Sequence, residues 1–162
     1  MVVEQNSKYR TGQVKYLSGV EIKTAGAGVT RSDANGRFKL VFVDKPIGNI
    51  ARLYVRKNSY EVVNTKVIEQ ATILGRISPL KIVMCPAGQL YENQITYYAI
   101  ARDEAIKNYE ERVAILEKGG KESERLRKKL QLQFDQKVKS HAEAIALLQK
   151  QKETAQKEAK EL

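Results

Sequence analysis

At 162 residues the chain has room for one ordinary domain, or for a small domain with an extension. Its 29 Lys and Arg against 19 Asp and Glu give a net charge of +10, and its single cysteine excludes an intrachain disulfide, so a hydrophobic core has to hold the fold. No run of about 18 apolar residues reads as a membrane span, and one His with one Cys excludes a His/Cys zinc site within one chain.

Met1 to Asn6 lacks the charged and apolar regions of a signal peptide. Residues 8 to 16 read as a first strand, with Tyr9, Thr11 and Gln13 alternating against Arg10, Gly12 and Val14, a pattern weak enough for an edge position. Val20 and Ile22 then alternate with Glu21 and Lys23, and Gly26 and Gly28 punctuate the chain before Val29 resumes an apolar face. Ser32-Asp33-Ala34-Asn35-Gly36 has the Asx side chains and closing glycine of a tight turn. Phe38, Leu40 and Phe42 alternate with Arg37, Lys39 and Val41, which predicts a further strand.

The segments Gly19-Val20-Glu21-Ile22, Gly26-Ala27-Gly28-Val29-Thr30 and Asp33-Ala34-Asn35-Gly36-Arg37-Phe38 stand in the order of a GV-x-V strand, a G-x-G-V-T segment and a D-x-x-G-x-F turn. Over roughly residues 8 to 85 this grammar resembles the carboxypeptidase regulatory-like domain, a transthyretin-like seven-stranded β-sandwich. The chain departs from that family where residues 13 to 18 pass almost directly into Gly19, without the longer polar turn between the first two strands. The resemblance implies an accessory architecture with no catalytic residues of its own, often outside the cytoplasm.

Beyond the breakers at Asp44 to Asn49, Leu53 and Val55 alternate with Arg52, Tyr54 and Arg56. Tyr60 to Ile68 reads as another strand, Ala71 to Ser78 is ambiguous, and Leu80, Ile82 and Met84 alternate with Lys81, Val83 and Cys85 in the last. The expected core is Val20, Ile22, Phe38, Leu40, Leu53, Val55, Ile82 and Met84. All three prolines and eight of the ten glycines lie before residue 89, which places a boundary at Cys85-Pro86-Ala87-Gly88. The expected fold is α+β: a seven-stranded antiparallel β-sandwich over residues 1–88, then a long antiparallel helical hairpin over residues 89–162 that turns at 118–122.

From Gln89 the period changes. Ile95, Ala99, Arg102, Ile106, Tyr109, Val113 and Leu116 recur at alternating steps of four and three, the seam of a coiled coil. Gly119-Gly120 stops that helix in the manner of a C-cap. A second helix carries Leu126, Leu130, Phe134, Val138, His141, Ile145, Leu148, Lys152, Ala155, Ala159 and Leu162, and its early steps of four predict little supercoil there. Tyr91, Tyr98, Ala105 and Arg112 form a second row beside the first seam, while Leu132, Ala142, Ala146 and Leu147 lie off the main line of the second helix. Such rows predict self-association through the hairpin, or cover from another surface. The segment Gly88 to Gln94 and the charged helices also resemble the front end of bacterial envelope proteins with tetratricopeptide repeats downstream. That likeness implies a natural chain continuing past Leu162, in the periplasm or cell envelope if a signal peptide has been cleaved ahead of it.

Residues 1 to 88 hold 14 Lys or Arg against 6 Asp or Glu, so most of the positive charge belongs to the β domain. Arg52, Tyr54 and Arg56, with Tyr60 close behind, interleave basic and aromatic side chains, a composition that suits an anionic ligand such as nucleic acid or polysaccharide. Gly26-Ala27-Gly28 is followed by a strand and lacks the helix N-terminus and lysine of a phosphate loop. Asp33, Asn35 and Asp44 fall short of a calcium ligand set, and His141 sits on a helix seam with no nucleophile motif to serve. The expectation is a non-enzymatic interaction or scaffold module of a bacterial cell-envelope protein, without cofactor, with a protein partner. The alternative is a binding module for anionic polysaccharide or nucleic acid.

Overall fold

A computed structural model describes residues 1–6, 14–73 and 80–161, and the fold is α+β, with short strands followed by a long helix pair. It divides into two compact units, Met1–Asn93 and Gln94–Leu162.

The first unit is built around β9 (Ile82–Pro86), whose Ile82, Val83, Met84 and Cys85 are all buried, so both faces of the strand are covered. On one side it pairs in parallel with β1 (Val2–Glu4), and on the other antiparallel with β7 (Tyr60–Val62). A fourth strand, β2 (Lys15–Tyr16), lies antiparallel to β1 and completes the order β2-β1-β9-β7. A second sheet has the order β4-β3-β6, from β3 (Glu21–Thr24), β4 (Gly28–Arg31) and β6 (Tyr54–Arg56). A small third sheet joins β5 (Ile50–Ala51) to β8 (Ala71–Thr72). All three sheets feed one core: Val2, Ile82 and Met84 from the first, Ile22 from the second and Ala71 from the third, with Leu17, Val20 and Leu53 from the connections. The eight expected core residues are all in it, five of them buried and Phe38, Leu40 and Val55 packed at its margin.

Several expectations for this unit are corrected. Among the described residues there are nine short strands in three sheets, where seven strands in an antiparallel sandwich were expected, and the β1–β9 pairing is parallel. Residues 37–43 form no ladder: the edges of β1 and β3 are taken by other strands, and the segment packs on the core without pairing to the edges that β2, β4, β6 and β7 leave open. Their alternation survives as packing alone, with Phe38 and Leu40 against the core and Val41 exposed.

The run from Tyr60 to Ile68 divides into β7 and a short helix, α1 (Thr65–Glu69), at Asn64. That side chain is buried; its Oδ1 accepts from the Val83 N–H at 2.8 Å and its Nδ2 donates to the Lys81 carbonyl at 2.9 Å, which closes the ladder from the side. Val29, expected on the apolar face, is 57% exposed, since the register that sets Ile22 inward against Thr30 turns Val29 outward beside Lys23. The expected strand at 8–16 is seen only at β2, residues 7–13 lying outside those described, as do Leu74 to Ser78 of the ambiguous segment and Leu162 of the helical seam.

The second unit is made by α2 (Leu90–Leu116), which begins within the first unit, and α3 (Lys121–Glu161). Tyr98 lies near His141, with ring centroids 6.0 Å apart, and Tyr109 stacks on Phe134 at 4.1 Å, so the partner number falls as the chain number rises and the pair is antiparallel. The Tyr109 hydroxyl also donates to Gln131 Oε1. The stop between the helices is not the left-handed C-cap expected, because neither Gly119 nor Gly120 has a positive φ. Glycine is needed at 119 for another reason: an added Cβ would press into the Ser123 side chain.

Candidate functional site

In β3 the register sets Glu21 opposite Arg31 of β4 on one side and Arg56 of β6 on the other, and sets Lys23 between Val29 and Tyr54. Directly opposed residues share a face, and that face points away from the core, since Ile22 and Thr24 are buried on the other. Arg52 joins them just ahead of β6: Leu53 is buried between it and Tyr54, and the Arg52 guanidinium carbon lies 5.5 Å from the centre of the Tyr54 ring. The outer face therefore gathers four cations, Lys23, Arg31, Arg52 and Arg56, around one exposed tyrosine and one exposed valine. Its one carboxylate on this grid, Glu21, takes a 3.4 Å contact from Arg31, a solvent-exposed pair that adds little to stability.

Of the residues named from the sequence, Arg52, Tyr54 and Arg56 thus stand together. Tyr60 does not join them: it lies in β7 of another sheet, partly buried against the core, with the Lys57 ammonium 5.8 Å from its ring. Lys23 and Arg31 escaped the sequence reading, because what brings them to Tyr54 and Arg56 is cross-strand register. The Gly26 and Gly28 positions, which invite that register by making a tight β3–β4 turn, were the available signal.

Other chemistry-bearing groups are committed to structure. Asp33 Oδ1 accepts from the N–H groups of Asn35 and Arg37 at 2.9 and 2.8 Å, closing its own turn. Cys85 is fully buried, and that burial, with the Glu61 carboxylate adding to it, pushes its thiol up to about 11. The thiol is therefore protonated at neutral pH, and we expect an aromatic disulfide reagent at pH 8 to label it only after unfolding in denaturant. Because the raised value belongs to the folded state, its contribution to stability is complete below the ordinary thiol range near 9 and is lost as pH climbs through about 11. Rapid labelling of the native chain at pH 8 would contradict the burial.

Among the described residues no group of three or more His, Cys, Asp or Glu is arranged to hold a metal ion, and no helix is long and apolar enough to cross a membrane. On the hairpin, Ile115, Leu116, Leu126 and Leu130 line an open groove of about 400 Å³ near the turn, flanked by Arg112 and Lys129. The seam residues Ile95, Ile106, Tyr109, Val113, Leu116, Leu130, Phe134, Ile145 and Leu148 are half-buried, while Leu126 is exposed. No family model, no curated protein and no solved structure matches the chain.

Proposed function

We propose that this chain is a non-enzymatic interaction module, a β domain carried with a helical hairpin, serving as a scaffold element of a bacterial cell-envelope protein. The observation that carries the reading is the exposure of apolar side chains on the hairpin. Ile100, Ile115, Leu126, Leu132 and Leu147 are all at least 49% exposed, and within the hairpin unit only Ala105 is buried among the described residues. A two-helix hairpin buries a narrow stripe and leaves such side chains for another surface to cover; the expected row Tyr91, Tyr98, Ala105 and Arg112 is not the open one, since Ala105 is buried and both tyrosines are half-buried. The partner surface we favour is a second copy. α2 carries Glu92, Asp103, Glu104, Glu110 and Glu111 against Arg102, Lys107 and Arg112, a small acidic excess, whereas residues 121–141 of α3 carry seven Lys or Arg against Glu122, Glu124 and Asp135, so the net charges are complementary when α2 of one hairpin meets α3 of another.

Analytical ultracentrifugation of the 162-residue chain tests this: we expect a concentration-dependent dimer that weakens in Leu132→Glu and in Leu147→Glu. A strictly monomeric chain at high concentration, together with capture of only cytoplasmic proteins from cell extracts, would overturn the assignment. The placement in the envelope and the kinship with the carboxypeptidase regulatory-like domain rest on the turn and strand motifs at Gly19 to Phe38. Supporting them are the left-handed Gly36 after Asp33 and a core fed by more than one sheet, as a β-sandwich has.

A second reading is favoured by the charge on the outer face of β4-β3-β6, an anion-binding surface with Arg52, Tyr54 and Arg56 at its centre.

A further inference from the structure

Resting on that second reading, we propose that the outer face of the β4-β3-β6 sheet binds an acidic polysaccharide, a polymer bearing carboxylate or sulfate groups, and that Lys23 and Arg31 belong to the site with Arg52, Tyr54 and Arg56. Three features of the face select this ligand class. First, the charges are spread over a surface. Lys23 sits on the central strand with Arg56 and Arg31 on the diagonals, roughly 7–8 Å away, so a chain running obliquely over the strands meets cations in succession, whereas the direct line from Arg31 to Arg56 passes Glu21. Second, three of the four cations are arginines, whose planar forks donate two parallel hydrogen bonds to a carboxylate or sulfate. Glu21 already engages Arg31, at 3.4 Å, and a ligand carboxylate would compete for the same donor.

Third, the face offers one aromatic platform. Tyr54 is 58% exposed and the only aromatic among the described residues of this face, and Arg52 sits within 5.5 Å of its ring. Single-stranded nucleic acid is held by a series of aromatic side chains on which successive bases stack, and no such series is present among the described residues of the face. One tyrosine flanked by Lys23 and Val29 instead suits the apolar face of a single sugar ring, with the neighbouring acid groups on the arginines.

The test uses the whole chain against four polymers: alginate for carboxylates, heparin for sulfates, oligo-dT for single-stranded nucleic acid and dextran as the neutral control, each at low and at near-physiological salt. We expect alginate or heparin to bind, dextran not to bind, and affinity to fall as salt rises. Arg52→Ala with Arg56→Ala should weaken binding at least about tenfold, the loss of one or two charge-assisted hydrogen bonds. Lys23→Ala should weaken it by a smaller factor, and Lys137→Ala with Lys139→Ala on the hairpin should leave it unchanged. All four basic side chains of the face are exposed and outside the core, so circular dichroism should show every variant folded. If oligo-dT binds through this face and the polysaccharides do not, the polysaccharide assignment fails while the anion-binding surface stands. Should no polyanion bind, or should binding ignore the face variants, the surface itself is refuted.

Discussion

Replacing Gly36 by alanine should remove a large part of the β domain's stability, and the reason lies in two independent penalties at one atom. Gly36 has φ of 67°, where an L side chain costs about 1–2 kcal/mol. Its Cβ would also point at the Val2 carbonyl oxygen, well inside van der Waals contact, and that oxygen is backbone with no flexible side chain to yield. The Gly36 carbonyl accepts from the Val2 N–H at 2.7 Å and the Val2 carbonyl accepts from Leu17 N–H at 3.1 Å, so moving Val2 loosens β1 from both directions. Since β1 supplies Val2 to the core and pairs with β9 along its length, the displacement reaches the centre of the sheet. The expected loss is roughly 3–5 kcal/mol, a large part of what a small domain has. Denaturant unfolding followed by tyrosine fluorescence checks it: a midpoint within experimental error of the parent would show that the turn tolerates a side chain. Asn35→Ala, on the same turn but lending only its backbone N–H to Asp33 Oδ1, should change stability by well under about 1 kcal/mol and separates a turn effect from the glycine effect.

Much of the core could be read from the chain because burial alternates with period two whether or not a ladder forms. Phe38 and Leu40 illustrate this: their alternation predicted inward side chains correctly and a strand incorrectly, since hydrophobic period reports which side is wet and says nothing about whether the segment pairs with a neighbouring edge. Val2–Glu4 was invisible for a related reason. Three residues hold too little pattern to identify a strand, and β1 gains its place by pairing with β9, at the far end of the β domain in sequence. Asn64 marks the third limit, because a polar residue that ends a strand by bonding to Lys81 and Val83 resembles, in sequence, any polar residue on a strand's outer face. The basic face was half legible: Arg52, Tyr54 and Arg56 share a face by local alternation, whereas Lys23 and Arg31 join them only through register across three strands. On the helices the seam was legible in part: Tyr109 and Phe134 each stand on the apolar repeat of their own helix before they meet, whereas Leu126, Ala155 and Ala159 of the same repeat are exposed.

That meeting point gives the second large effect. Phe134→Asp should abolish most of the helical signal of residues 94–161 while leaving the β domain folded. The phenyl ring of Phe134 stacks on Tyr109 with the planes 13° apart, and Tyr109 in turn donates its hydroxyl to Gln131, so one side chain of α3 organises a turn of each helix. Losing a half-buried phenyl ring costs about 2 kcal/mol, and a carboxylate placed against the Tyr109 ring adds desolvation to it. The hairpin has little with which to absorb that cost, because its seam is half-buried at best and only Ala105 is buried among the described residues of the unit. Helices in proteins draw most of their stability from packing, and the end of α3, though rich in good helix formers, has only alanines on its seam and so little apolar area to bury. If the hairpin dimerises through its open apolar rows, the same substitution should also dissociate the dimer, and the parent's unfolding midpoint should rise with concentration while the variant's does not. Circular dichroism in the far ultraviolet, with the Cys85 thiol as a reporter of the β domain, separates the outcomes. Loss of helicity with the thiol still protected is the expected result, and full helicity in Phe134→Asp would show that the two helices do not depend on this contact.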